Sequence, residues 1–165
     1  MAMGDGHLIM TNAFKCLDLS EPLIPSVLHI EDDDGDAVMV AKSLEAAGCR
    51  ARIDRVVDGL QALSRFDAIA YGHYPRPDLV LLDLKLPSAS GFDVLRRARS
   101  YDALSELPIV MFTSSEDEED KNLCIGYGCT EFAVKPMDYV KYLAVLKGIC
   151  ERYVAPLTDV QPIPA

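Results

Sequence analysis

Acidic residues recur in this chain directly after short apolar runs. Glu31-Asp32-Asp33 follows Val27-Leu28-His29-Ile30, and Asp83 follows Leu79-Val80-Leu81-Leu82. Carboxylates at the C-terminal ends of parallel strands converge on the crevice where α/β sheets bind ligands. Like charges there raise one another's pKa unless a cation joins them. A hard, oxygen-seeking ion such as Mg²⁺ suits that environment. Two more functional residue types follow later apolar runs: Thr113 after Pro108 to Phe112, and Lys135 after Thr130 to Val134. Alone, each has an ordinary explanation, since an acid or hydroxyl after a strand often only caps a helix or bonds local backbone. Five such residues at successive strand ends (Glu31, Asp32, Asp83, Thr113 and Lys135) point to one shared pocket.

The elements that must position them alternate. Strands are expected over 27–30, 51–57, 78–82, 108–112 and 130–134. Apolar residues at helical spacing predict helices over 35–47, 60–70, 91–99, 116–127 and 138–153. Gly48 is placed to end the first helix. The run 78–82 is the most apolar, as a strand buried on both faces requires. Five strands alternating with five helices predict an α/β layer fold around a parallel sheet. Residues 1–26 show no sustained period and are expected to form a partly disordered extension. The proline-bearing segment 154–165 is expected to be an extended tail.

Composition narrows the function. The chain has 165 residues, 50% hydrophobic and 25% charged, which suits one soluble domain with its own core. A net charge of −10 argues against direct nucleic-acid binding. No apolar run is long enough to span a bilayer, and no signal-peptide pattern opens the chain. The odd set Cys16, Cys49, Cys124, Cys129 and Cys150 lacks close pairing, so free thiols in a reducing cytoplasm are expected. No GxGxxG follows a strand and no GxxxxGK[ST] occurs, which removes motif support for dinucleotide and P-loop readings.

The phrases Leu81-Leu82-Asp83-Leu84, Leu86-Pro87, Ser90-Gly91-Phe92 and Lys135-Pro136, with the spacing of Asp83, Thr113 and Lys135, resemble the receiver domain of two-component response regulators over residues 27–153. The resemblance implies a three-layer, doubly wound (βα)5 receiver (flavodoxin-like) fold with strand order 2-1-3-4-5. It implies that Asp83 is the phosphoacceptor, and that Asp32, with Glu31 through water, Asp83 and the Lys85 carbonyl hold Mg²⁺. Lys135 would pair with Asp83 and then with a phosphoryl oxygen. Thr113 would be the switch hydroxyl, and Phe132 the aromatic switch residue, with an ordinary core role as its rival. Family members hold the Lys135–Pro136 bond cis. Asp33 competes for the metal register but also suits a helix cap, alone or with Asp34.

Two positions, Lys85 and Ser115, border the expected path of an attacking water and are expected to tune phosphoryl lifetime. No output domain is expected after Tyr153, so signalling would run through protein contact. The lengthened segment from Phe66 to Pro77 and the closing helix resemble the stand-alone receivers that partner bacterial phytochromes. That implies a sensor histidine kinase as partner, a homodimer, and no catalysis beyond the domain's own phosphotransfer and dephosphorylation. Tyr71 and Tyr74 could face a partner or pack within the loop. Open alternatives are a phosphorelay shuttle to a histidine phosphotransfer protein and a non-phosphorylated adaptor. A small phosphatase lacks the second acid near Asp83 that it would need.

Overall fold

A computed structural model describes residues 24–154. The expectations for the N-terminal extension up to residue 23, including Cys16, and for the tail from residue 155 lie outside the described residues. Five strands form one parallel sheet: β1 (Ser26–Ile30), β2 (Arg52–Val56), β3 (Leu79–Leu82), β4 (Ile109–Thr113) and β5 (Glu131–Val134). Their order is β2-β1-β3-β4-β5. Helices α1 (Asp34–Ala46), α2 (Gly59–Ala70), α3 (Gly91–Arg99), α4 (Glu118–Gly126) and α5 (Tyr139–Tyr153) connect and cover them. This is the expected (βα)5 arrangement. The 3-10 turn Asp102–Leu104 before β4 was not foreseen; three residues are too short for a periodic signal.

The sheet separates two apolar cores. Leu28, Ile30, Val80, Leu82, Ile109 and Met111 pack with Phe66, Val94 and Leu95 of α2 and α3. Val27, Leu79, Leu81, Val110 and Phe112 pack with Val40 and Leu44 of α1 and Leu146 and Ile149 of α5. Alternation along each strand sends successive side chains to opposite cores, so β3 and the Ile109 to Phe112 part of β4 read as unbroken apolar runs. His29 shares the α1/α5 side with Val27, and burial, then the charges of Lys135 and Arg55, lower its pKa to about 3. It is a neutral imidazole in the core.

Caps set where the helices begin. Asp33, Asp58, Ser90, Asp117 and Asp138 each accept a backbone N–H from the first turn of the helix that follows. Asp33 therefore caps α1, through Asp36 N at 2.8 Å. The acidic run opening α4 is a cap plus exposed acids at a helix N-terminus. Gly48, with φ of 73°, ends α1, where Cys49 N donates to the Leu44 carbonyl at 2.9 Å.

The lengthened loop after α2 is folded back. Tyr74 donates its hydroxyl to Asp54 at 2.7 Å, and Arg65 pairs with Asp54 while stacking 4.0 Å from the Tyr74 ring centre. Tyr71 stays 69% exposed, although its ring meets Tyr101 edge-on. Of the two tyrosines, Tyr71 is the exposed one and Tyr74 is half-buried.

The cysteine expectation is corrected for one pair. Cys49, after α1, and Cys150, in α5, are disulfide-bonded across 101 residues of sequence. Spacing could not reveal a pair that only the packing of α1 beside α5 brings together. Cys124 and Cys129 are free, and burial pushes the Cys124 thiol up to about 12. Closing so long a loop stabilises mainly by restricting the unfolded chain, typically by about 2–4 kcal/mol. Reductant should therefore lower the urea midpoint of the native protein to that of the Cys49→Ala/Cys150→Ala variant. The same reductant should leave the variant unmoved; equal midpoints for oxidised native protein and variant would contradict a stabilising cross-link.

Candidate functional site

Sheet topology brings four segments to one end. Register pairing of β1 with both β2 and β3 sets the ends of β1 and β3 side by side. Asp83 N continues that ladder to the Ile30 carbonyl at 3.1 Å, and Lys135 N bonds the Thr113 carbonyl at 2.7 Å. Glu31, Asp32 and Asp83 each present a carboxylate oxygen within 4.8 Å of the others. Glu31, Asp83 and Lys135 are buried and Asp32 is exposed, so the cluster opens to solvent on one side.

Lys135 is the cation of this cluster. Its Nζ donates to Glu31 Oε2 at 2.5 Å and to Asp36 Oδ2 at 2.8 Å, and lies 3.6 Å from Asp83 Oδ2. Burial raises the Glu31 pKa, which the hydrogen bond from Lys135 opposes. Burial also acts to lower the Lys135 pKa, but the bonds to Asp36 and Glu31 outweigh it and the net direction is upward. Each partner thus offsets part of the other's lost hydration.

Arg55 holds the acidic loop in place. It donates to the carbonyls of Glu31 and Asp32, both at 3.0 Å, and to the Asp34 carboxylate at 2.7 Å. Neither Arg55 nor Asp36 was foreseen. Arg55 lies within β2, and Asp36 is one acid among several in a helix start; no strand-end pattern marks either.

The other expected residues are placed as follows. Asp83 Oδ1 accepts from Leu84 N at 2.7 Å, leaving Oδ2 toward Lys135. Lys85 is exposed two residues on. Thr113 is fully buried at the end of β4, and its hydroxyl oxygen accepts from Ser115 N at 3.3 Å. Ser115 donates to Asp120 at 2.6 Å, which ties it to the start of α4. Phe132 is half-buried against the α2/α3 core. Strand alternation puts Thr113 and Phe132 on that side of the sheet and Glu31 and Lys135 on the α1/α5 side. The Lys135–Pro136 bond is trans, because no cis peptide occurs among the described residues. That corrects the cis expectation; trans is the isomer favoured before proline by roughly 0.5–1 kcal/mol.

The residues from 27 to 147 match the family described as the response regulator receiver domain. The chain belongs to that family. It is 28% identical over 137 residues to the probable methanogenesis regulatory protein FilR2 of Methanothrix harundinacea, covering 83% of this chain and 87% of FilR2. It is 34% identical over 127 residues to the sensory transduction protein RegX3 of Mycobacterium tuberculosis, covering 77% of this chain but 51% of RegX3. As with RegX3, the chain spans about half the length of several curated relatives it matches. Among solved structures, the phosphorylated cyanobacterial phytochrome response regulator RcpA superposes with a TM-score of 0.73 at 26% identity, covering 80% of this chain and 95% of RcpA. The receiver is thus closely related to phytochrome-associated response regulators. Among the described residues no helix is long and apolar enough to cross a membrane.

Two glycines let loops approach the receiver's pocket. A Cβ on Gly91 would sit 2.2 Å from the Asp83 carbonyl oxygen and 2.8 Å from Leu84 Cα, and one on Gly59 would sit 2.0 Å from the Ala89 carbonyl oxygen. These are backbone collisions that no rotamer relieves. Gly91→Ala should push the start of α3 off the Asp83 loop and destabilise by about 1–3 kcal/mol, as overpacking does. Chemical denaturation reads the loss, and a midpoint equal to that of the native protein would show that the loop yields freely.

Proposed function

We propose that this receiver accepts a phosphoryl group on Asp83 from the phosphohistidine of a sensor histidine kinase, with Mg²⁺ bound by the acidic cluster. The observation that carries the reading is the convergence of Glu31, Asp32 and Asp83 within 4.8 Å beside one buried ammonium. An all-carboxylate donor set suits a hard dication, and Lys135 alone does not balance the acids around it. Asp32 and Asp83 would hold the ion directly, Glu31 through water, and the Lys85 carbonyl would complete the protein's share. When bound, Mg²⁺ supplies positive charge to the phosphoryl oxygens.

The chain's residues do the rest. An Asp83 carboxylate oxygen attacks phosphorus, an O–P bond forms, and the N–P bond of the phosphohistidine breaks with its electron pair returning to the imidazole nitrogen. The 2.7 Å bond from Leu84 N fixes the carboxylate plane before attack. Lys135 neutralises charge gathering on the transferred group. Thr113 turns its hydroxyl toward the phosphoryl group, exchanging its contact with Ser115 N. Phe132, on the same side of the sheet, follows, and a protein-facing surface changes. The likeness to the phytochrome response regulator RcpA favours a phytochrome-like sensor kinase as the partner. Passing the group to a histidine phosphotransfer protein would use the same pocket. Lys85 and Ser115 tune how long the group persists, Lys85 by crowding the water that hydrolyses it.

Mass spectrometry after incubation with Mg²⁺ and a small phosphodonor such as acetyl phosphate should show one phosphoryl adduct. The adduct should vanish in Asp83→Asn and on chelation of Mg²⁺. If neither a small donor nor any sensor kinase modifies the native protein, it is a non-phosphorylated adaptor. For the lifetime role, decay of the adduct should be several-fold faster in Lys85→Asn than in the native protein, and equal decay rates would remove Lys85 from that role.

A further inference from the structure

Lys135 has three N–H donors and, within hydrogen-bonding distance, two carboxylates: Glu31 and Asp36. Asp83 stands farther off, at 3.6 Å. The ammonium is therefore drawn toward the α1 side of the pocket and held short of the nucleophile. Its two holders differ in one decisive respect. The Glu31 side chain is 1% exposed, whereas that of Asp36 is 40% exposed. Releasing Glu31 would strand a buried charge unless another cation replaced Lys135, but releasing Asp36 returns its carboxylate to water at little cost. Asp36 is also fixed in place, because its backbone N–H donates to the capping carboxylate of Asp33.

We infer that Asp36 is a positioning residue for Lys135: a releasable anchor that competes for the ammonium with the phosphoryl group carried by Asp83. This inference rests on the phosphoacceptor reading above. In the resting receiver Asp36 holds Lys135 back; when phosphoryl oxygens arrive, the ammonium leaves Asp36 and keeps Glu31 or the metal-facing side of the pocket. The anchor thereby sets how strongly the pocket favours the phosphorylated state. It also gives Asp33 a part in the site, exerted through the first turn of α1 and not through a metal ion.

The test uses beryllofluoride, a phosphoryl mimic, titrated calorimetrically into the protein at saturating Mg²⁺. Asp36→Ala should bind the mimic about fivefold more tightly than the native protein, in keeping with one partly exposed ion pair removed. Asp36→Glu should return affinity toward native. In a Lys135→Ala background the gain from Asp36→Ala should disappear. If the gain persists there in full, Asp36 acts by direct repulsion of the mimic; if no gain occurs in either background, it does not compete at all. Either result overturns the inference. A metal-free readout stands beside it. The ¹H–¹⁵N signal of the Lys135 ammonium, assigned by its absence in Lys135→Arg, should be observable in the native protein and in Asp36→Glu, and broadened by hydrogen exchange in Asp36→Ala. An unchanged signal overturns the anchor even if Lys135→Ala binds no mimic. Failure of the native protein itself to bind the mimic would count against the phosphoacceptor reading, while the ammonium signal would still decide whether Asp36 holds Lys135.

Discussion

The buried ammonium of Lys135, just past β5, bonds both the end of β1 and the first turn of α1. It reaches Glu31 across 104 residues and Asp36 across 99. A lone lysine at 6% side-chain exposure would lose its charge to desolvation. Glu31, at 1%, would lose its charge too. Glu31 has its counter-charge in Lys135, and Lys135 has its own in Glu31 and Asp36, so the ends of β1 and β5 must be held at a fixed separation. They flank the sheet's central strands, β3 and β4, and that places Asp83 beneath the same ammonium. Removing one partner leaves the other buried without its counter-charge, which costs far more than never having had the pair. The geometry of the pocket and the integrity of this end of the sheet are therefore one constraint.

Other features of the fold serve that constraint. Arg55 on β2 fastens the carbonyls of Glu31 and Asp32 and the side chain of Asp34, so the acidic loop cannot relax outward under its own repulsion. Asp33, which sequence leaves between two roles, spends its carboxylate on the N-terminus of α1. Gly59 and Gly91 allow the loop after β3 to lie against two helix starts at distances no side chain would tolerate. On the other side of the sheet, Thr113 is buried and Phe132 is half-buried against the α2/α3 core. A signal that crosses must do so at the strand ends, where Lys135 N and the Thr113 carbonyl are already bonded.

Much of this was legible in sequence. Strand and helix types follow from period and capping chemistry, and the order in which acids, hydroxyl and lysine succeed apolar runs marks the pocket before any coordinates. What escaped reading has a common cause. Asp36, Arg55 and the Cys49–Cys150 bond owe their roles to neighbours remote in sequence, and spacing along one chain carries no sign of them. Asp36 is the sharpest case. Among Asp32, Asp33, Asp34 and Asp36, only the path of the first helical turn decides which carboxylate faces the strand ends and which faces solvent. The turn sends Asp34 to Arg55 and Asp36 to Lys135, a division of labour that residue type cannot express.

Charge arithmetic explains why the pocket is poised and not settled. Glu31, Asp32, Asp36 and Asp83 surround one lysine, so formally four negative charges face one positive. Two further positive charges from a divalent cation would still leave the cluster negative by one, and a phosphoryl group would bring more negative charge. On the proposed reading, giving up a competing acceptor would make room for that charge. On the proposed reading Asp32 and Asp83 would hold the ion, and Glu31 is too deeply buried to be left unpaired. Asp36, half in water and pinned at the helix start, is the acid that can be released without stranding a charge. Of the two carboxylates that Lys135 bonds, exposure thus separates Glu31, which must stay paired, from Asp36, which is able to let go.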